Sequence, residues 1–381
     1  MDDAAAERVD ASEVGLAAGR PLPWRIHPAR VWSPVVVSFP HVGLAWPAEL
    51  GARPPADFAR NADFEVQSLY PDAGDSGAVR VEAVYSRLLV DLNRAGDDIS
   101  AAVVPDHPDP RPRRRPGLPN PAKQPAPDLD DDAQRPGRGV VWSQALGNVT
   151  LLAKPLRYAE FKARIDHFHE PYHRALEILL ERRRQRFGYA ILLDAHSMPA
   201  SVGVDLVLGT LANTSCAASI EALALAALGD SGDSPRLRLR LNDPYHGGEL
   251  IRRFGRPREG FHALQLEVSR GLYMDEPSST LWSTCEPSVA TARRPNTPTQ
   301  SEPSRPSYVR PSQQSGSSAH TGKAHDPSRP PSSKHAADFT ELRRRVSYLV
   351  RALSQGVDDS SIVGTSESLV RATQADLGSV P

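Results

Sequence analysis

An α/β fold, a doubly wound sandwich with helices on both faces of a sheet, is what the order of apolar segments predicts. Short Val/Leu/Ile-rich runs alternate with longer amphipathic stretches, the pattern of strands and helices in turn. Several of these runs also end in polar islands: SFPHVG (38–43), VDLNR (90–94), LLDAHSMP (192–199) and LQLEVSRGLYMDE (264–276). Each puts a His, Arg or Glu at or just past the end of an apolar segment. Open α/β sheets gather their binding and catalytic groups there. Taken alone, the pattern suggests a wholly parallel sheet.

The elements follow in order. Residues 1–30 lack an amphipathic pattern and read as a loose lead-in. Residues 31–39 (VWSPVVVSF) are β-branched and read as a buried strand ended by Pro40-His41. The spacing of Phe58, Phe64, Val66 and Leu69 suggests a helix over 56–70, and residues 79–92 read as one or two strands delivering Asn93 and Arg94. The clearest helix is 158–187, with Phe161, Ile165, Phe168, Tyr172, Leu176 and Leu179 on one face. Pro171 should kink or split it, and Gly188 should stop it. Strands are expected at 189–193, 205–208, 237–241 and 262–268, and helices at 217–228, 249–254 and 338–353.

Thirty-six prolines concentrate in two stretches, 105–138 and 277–335, whose Pro, Ser and charge content argues against packing. Setting these aside leaves roughly 230–250 residues, enough for one sizeable core. The expected organisation is one catalytic domain over 31–355, interrupted by two disordered insertions and followed by a flexible tail, 356–381. The formal net charge of −1 gives no reason to expect nucleic acid as a partner. No apolar run is long enough for a membrane span. The acidic N-terminus lacks the apolar core of a secretory signal. Two cysteines, Cys216 and Cys285, fit a reducing compartment, and the cytoplasm is the default expectation.

A hydrolytic zinc site needs about three protein ligands and an open position. His41 and His196, at separate strand ends, suit that role, and Asp194 can orient a histidine. Glu267, a carboxylate in an apolar strand, is the candidate general base, because a buried carboxylate is costly without a purpose. Arg87 and Arg94 can supply cationic donors. The blander readings stand beside these. A histidine at a strand end is often just a loop residue, Asn93-Arg94 could be a structural pair, and His167, His169 and His173 read as solvent or packing residues. A shared ion requires the two imidazoles within about 8 Å of each other.

At these residues the chain resembles the N-formylglutamate amidohydrolase family. The motifs are SFPHVG, ADFEVQSLY, YSRLLVDLNR, HEPYHRAL, LLDAHSMP, LNDPYHGGELIRRFGRP and HALQLEVSRGLYMDE. The resemblance implies a three-layer α/β/α sandwich with a mixed sheet, similar to the zinc exopeptidases, one Zn2+ and hydrolysis of N-formyl-L-glutamate. It implies His41, His196 and Asp63 as zinc ligands, with Glu65 the fallback for the third. Glu267 would be the base, Arg87 would polarise the scissile carbonyl, and Asn93 with Arg94 would hold the substrate carboxylate. The partner would be a small N-acyl amino acid. Three departures stand out: Leu44 replaces the carboxypeptidase ligand Glu, Gln67 and His246 replace residues usually acidic and often Lys, and the Pro-rich insertions are atypical. A carboxypeptidase-like peptidase and a non-catalytic binding protein are the alternatives.

Overall fold

Three consecutive valines, stiff at Cβ and suited to a pleated surface, open the strand β2 (Val35–Phe39), which is buried throughout. It lies near the middle of a seven-stranded sheet with β1 (Trp24–His27), β3 (Val79–Ala83), β6 (Ala190–Met198), β7 (Leu206–Gly209), β8 (Leu239–Leu241) and β9 (Phe261–Ser269). The strand order is β1-β3-β2-β6-β9-β7-β8. Two small hairpins complete the strands: β4 (Gln144–Ala145) with β5 (Val149–Thr150), and β10 (Met274–Asp275) with β11 (Thr280–Leu281). This is a computed structural model, and it describes residues 7–109, 138–229, 237–282 and 333–356. Most of both Pro-rich stretches and the tail expected after 356 lie outside the described residues.

The sheet is mixed, not wholly parallel. β1 runs antiparallel to β3 and β7 antiparallel to β9, while the remaining pairs are parallel. The chain between β6 and β7 holds only the short 3-10 turn Ala200–Val202. That is too little for the crossover a parallel return requires.

Helices cover both faces. One face packs on α1 (Tyr158–Arg164), α2 (Glu170–Phe187) and α4 (Glu249–Phe254), through Phe161, Leu176, Leu179, Leu250 and Phe254 against Val36, Leu192 and Ala263. The other packs on α3 (Ala218–Leu228) and α5 (Ser333–Gln355), through Ile220, Leu342, Val346 and Leu349 against Val35, Val37, Ile191 and Leu264. The result is a three-layer α/β/α sandwich. Among the described residues no helix is long and apolar enough to cross a membrane.

Two local expectations are corrected and a third, the split at Pro171, is met. Residues 56–70 form turns and a short 3-10 helix, Val66–Leu69, because packing against the sheet decides this segment. Pro171 splits the long helix without ending it: a π turn, Ile165–His169, links α1 to α2. Proline has no N–H to donate and crowds the carbonyl four residues back, and a wider turn absorbs both. The part of the lead-in that is described is not loose. It supplies β1, and Val9, Leu16 and Trp24 join the core while Glu7 is fully buried.

His262, on β9, illustrates how the layers are joined. It is buried, and its Nδ1 accepts the Ala217 N–H at the start of α3 at 3.2 Å. Burial pushes this imidazole from 6.5 down to about 4. A folded-state value below the unfolded one means the unfolded chain binds more protons between those limits. Stability from this group is therefore complete above pH 6.5 and is lost as pH falls through about 4. Unfolding free energies from urea titrations over that range should fall by about 3 kcal/mol more in the parent than in His262→Asn, which keeps an acceptor but does not titrate. Parallel curves would remove His262 from the acid sensitivity.

Candidate metal centre

Strand alternation builds the site. The face of β6 and β9 that packs on α2 is apolar at Leu192 and Ala263, then turns polar at Asp194, His196, Gln265 and Glu267. The parallel register sets Asp194 beside Gln265 and His196 beside Glu267. His41 follows the end of β2 after Pro40. Gly43 keeps that turn close to the neighbouring segment, since a Cβ there would lie 2.4 Å from the Tyr85 carbonyl oxygen. The Asp63 N–H donates to the His41 carbonyl at 3.0 Å, which draws the 56–70 segment onto the same strand end.

His41, Asp63 and His196, all buried, each offer one ligand atom within 4.8 Å of the others. The two imidazoles lie 4.9 Å apart between ring centroids, well inside the limit set by a shared ion. Asp63 Oδ2 is 2.9 Å from His196 Nδ1 and 3.3 Å from His41 Nδ1. The outward nitrogens are held from behind: His41 Nε2 is 2.8 Å from Asp91 Oδ1, and His196 Nε2 is 2.7 Å from Asp194 Oδ2. Carboxylates behind histidines orient metal ligands in this way and raise their basicity.

The electrostatics favour a cation. Asp63, Asp91, Asp194 and Glu267 are four buried carboxylates around two imidazoles. Burial would raise Asp63, but bonds from His196 and His41 hold it well below the usual carboxylate range. Burial would raise Asp91 too, yet Arg87 and His41 hold it well below. Burial would lower His196, and the carboxylates of Asp194 and Asp63 override that and hold it well above its ordinary value. Glu267 behaves differently: burial pushes it up to about 7, with the His196 charge opposing. His41 Nδ1 is buried and makes no well-formed hydrogen bond; it faces Asp63 Oδ2 at 3.3 Å on the side where the three donor atoms converge. Two imidazoles, one carboxylate and surplus negative charge match the donor set of a divalent cation, so the residues present fit one.

The remaining candidates take defined places. Arg87 donates Nε and Nη2 to Asp91 Oδ2 at 3.1 and 2.6 Å, and its guanidinium lies 4.7 Å from the Trp142 ring centre. Asn93 accepts the Leu250 N–H at 2.8 Å and points Nδ2 to Gln265 Oε1 at 3.3 Å and His196 Nε2 at 3.1 Å. Arg94 is near enough to lower Asp91. Glu65, the alternative third ligand, is half-buried in the left-handed region at φ 60°, bonded to Gln67 and facing Glu82. Asp63, not Glu65, joins the histidines.

Sequence reasoning missed four contributors. Asp91 is the carboxylate behind His41. Gln265 donates to Glu267 Oε1 at 2.9 Å, which leaves the other oxygen of that carboxylate to do chemistry. Ser197 donates to Asp63 Oδ1 at 3.2 Å, and Arg270 donates to Ser197 Oγ at 3.2 Å with its guanidinium 3.9 Å from Asp63. A signal existed for one of them: Gln265-x-Glu267, like the Asp194-x-His196 pair already picked out, places both polar members on one strand face.

The N-formylglutamate amidohydrolase family matches residues 33–274. The N-formylglutamate deformylase of Pseudomonas aeruginosa is 32% identical over 263 residues, covering 64% of this chain and 83% of that protein. The enzyme of the same name from Pseudomonas putida is 29% identical over 256 residues, covering 64% and 82%. The crystal structure of N-formylglutamate amidohydrolase from Ralstonia eutropha JMP134 superposes with a TM-score of 0.60 at 24% identity, covering 88% of this chain and 98% of that one. That likeness speaks to the fold. Together these matches set the class, a hydrolase of amide bonds on an α/β/α sandwich. The chain belongs to the N-formylglutamate amidohydrolase family.

Proposed function

We infer that the chain is a zinc-dependent amidohydrolase releasing formate from N-formyl-L-glutamate, or from a closely related N-acyl acidic amino acid. One observation supports this above the others: His41, Asp63 and His196 converge their donor atoms on the strand face that carries Glu267. Zinc suits two imidazoles and a carboxylate with a position left open. Bound there, the ion supplies Lewis acidity, which acidifies water and draws charge from a carbonyl oxygen.

The protein's own groups do the rest. Glu267, raised by burial and held at Oε1 by Gln265, takes the proton of the attacking water and returns it to the departing amine nitrogen. Arg87, set in place by its two-pronged hold on Asp91, is the proposed donor to the scissile carbonyl. Arg94 holds a substrate carboxylate, and Asn93, anchored to the start of α4, forms the wall beside it. The named relatives support N-formylglutamate as substrate. Cysteine usage supports a cytoplasmic setting, since Cys216 is a buried free thiol.

Metal analysis of purified protein should find zinc near one equivalent, with activity lost to a chelator and restored by zinc. N-formylglutamate should outrun short peptides with free C-termini in the same assay. Full turnover in metal-free protein, or preference for peptides, would reject the reading. Asp91→Asn should weaken zinc binding about 10–100-fold in a competition titration, because His41 loses the charge behind it. Unchanged affinity would show that Asp91 serves only Arg87.

A further inference from the structure

His167, His169 and His173 are expected to face solvent or fill packing space, yet two of them, His169 and His173, reach the loop that carries Asn93. His169 ends the π turn and His173 lies in the first turn of α2, and both are fully buried. Their rings stack at 4.2 Å with 23° between planes. His169 Nε2 donates to the Arg94 carbonyl and His173 Nε2 to the Leu92 carbonyl, each at 2.8 Å. These two carbonyls flank Asn93.

The loop so gripped is the one that orients both ligand histidines. Asp91, one residue before the first carbonyl, stands behind His41. Its Oδ1 also accepts the Asn93 N–H at 3.0 Å. Asn93 reaches His196 Nε2 at 3.1 Å. Arg94 carries the second carbonyl on its own backbone. On the other side, Glu170 pairs with Arg253 at 3.2 Å, tying the start of α2 to α4, where the Leu250 N–H meets Asn93.

The structure assigns to His169 and His173 a positioning role: a stacked imidazole clamp that sets the 91–94 loop, and through it the metal ligands and the substrate carboxylate site. Burial, with His169 and Arg253 nearby, holds His173 well below its ordinary value, so it stays neutral and keeps one N–H for a carbonyl. π turns recur at functional sites because they shift side chains that a regular helix would send elsewhere. Here the turn ends at His169 and leaves it stacked on His173. The clamp's bearing on catalysis rests on the amidohydrolase reading above; its grip on the loop does not.

The test compares substitutions that differ only in reach. Glutamine can place an amide N–H where Nε2 stands, and asparagine, one carbon shorter, cannot. His169→Asn and His173→Asn should weaken zinc binding about tenfold and raise KM for N-formylglutamate more than they lower kcat, by analogy with losses behind metal ligands. They should also speed amide hydrogen exchange at residues 91–96. His169→Gln and His173→Gln should restore all three to within about threefold of the parent. Asn variants indistinguishable from Gln variants in exchange at 91–96 would overturn the clamp, since a purely space-filling role does not depend on reach. If the parent does not turn over N-formylglutamate but the exchange pattern holds, the functional reading fails and the clamp stands.

Discussion

Glu267→Gln should fold as the parent does and lose turnover by about 10²–10⁴-fold, the usual worth of a positioned general base. The amide is nearly isosteric and its oxygen can still accept the Gln265 donor that Oε1 accepts now. What disappears is the ability to take a proton. Glu267 is 8% exposed and stands beside His196 in the register, so no other side chain on β9 can reach the same place. Zinc content should stay at the parental level, because the donor atoms of His41, Asp63 and His196 are untouched. Initial rates with N-formylglutamate, measured with metal content and an unfolding curve on the same sample, check this. Retention of more than about a tenth of the parental kcat would mean the proton goes elsewhere.

The largest effect on stability should come from Arg183→Met. Arg183 and Glu7 form an ion pair in which both side chains are fully buried, joining α2 to the chain ahead of β1. The guanidinium also donates to the carbonyls of Val35 at 3.2 Å and Leu179 at 3.3 Å and lies 5.0 Å from the Trp32 ring centre. Without it the Glu7 carboxylate stays buried and loses its Arg183 partner, which costs about 3–5 kcal/mol. The double variant Arg183→Met/Glu7→Gln should recover a large part, because the buried carboxylate that lost its Arg183 partner is then neutral. Urea unfolding of the single and double variants gives both numbers. A loss below about 1 kcal/mol in the single variant would place Glu7 in contact with water and return the segment before β1 to the loose state expected of it.

These two residues show how differently the chain advertises its parts. Glu267 was legible because a lone acid in the run LQLEV contradicts its apolar surroundings. His41 and His196 were legible because each interrupts a strand-like run at its end. Asp63 was reached only through the resemblance. No periodicity marks it, and its position depends on a backbone bond to His41 across 22 residues of turns. Glu7 was not legible at all. One acid among several near an irregular start has no pattern, and only the buried guanidinium on α2 gives it meaning.

The strand positions of the central sheet other than β1, the faces they present and the chemistry of the polar islands were written in the local order of residues, because side-chain direction alternates with a period of two wherever the chain is extended. Strand direction was not, since an apolar run reads the same in a parallel or an antiparallel neighbour, and the two reversals at β1 and β7 follow from chain connection. Nor was the pairing of Asp91 with His41 or the grip of His169 and His173 on the loop after it. Those contacts join segments 50 or more residues apart. Packing α2 against the sheet brings the two histidines to the loop, and the parallel pairing of β2 with β3 brings the chain after β3 back toward His41.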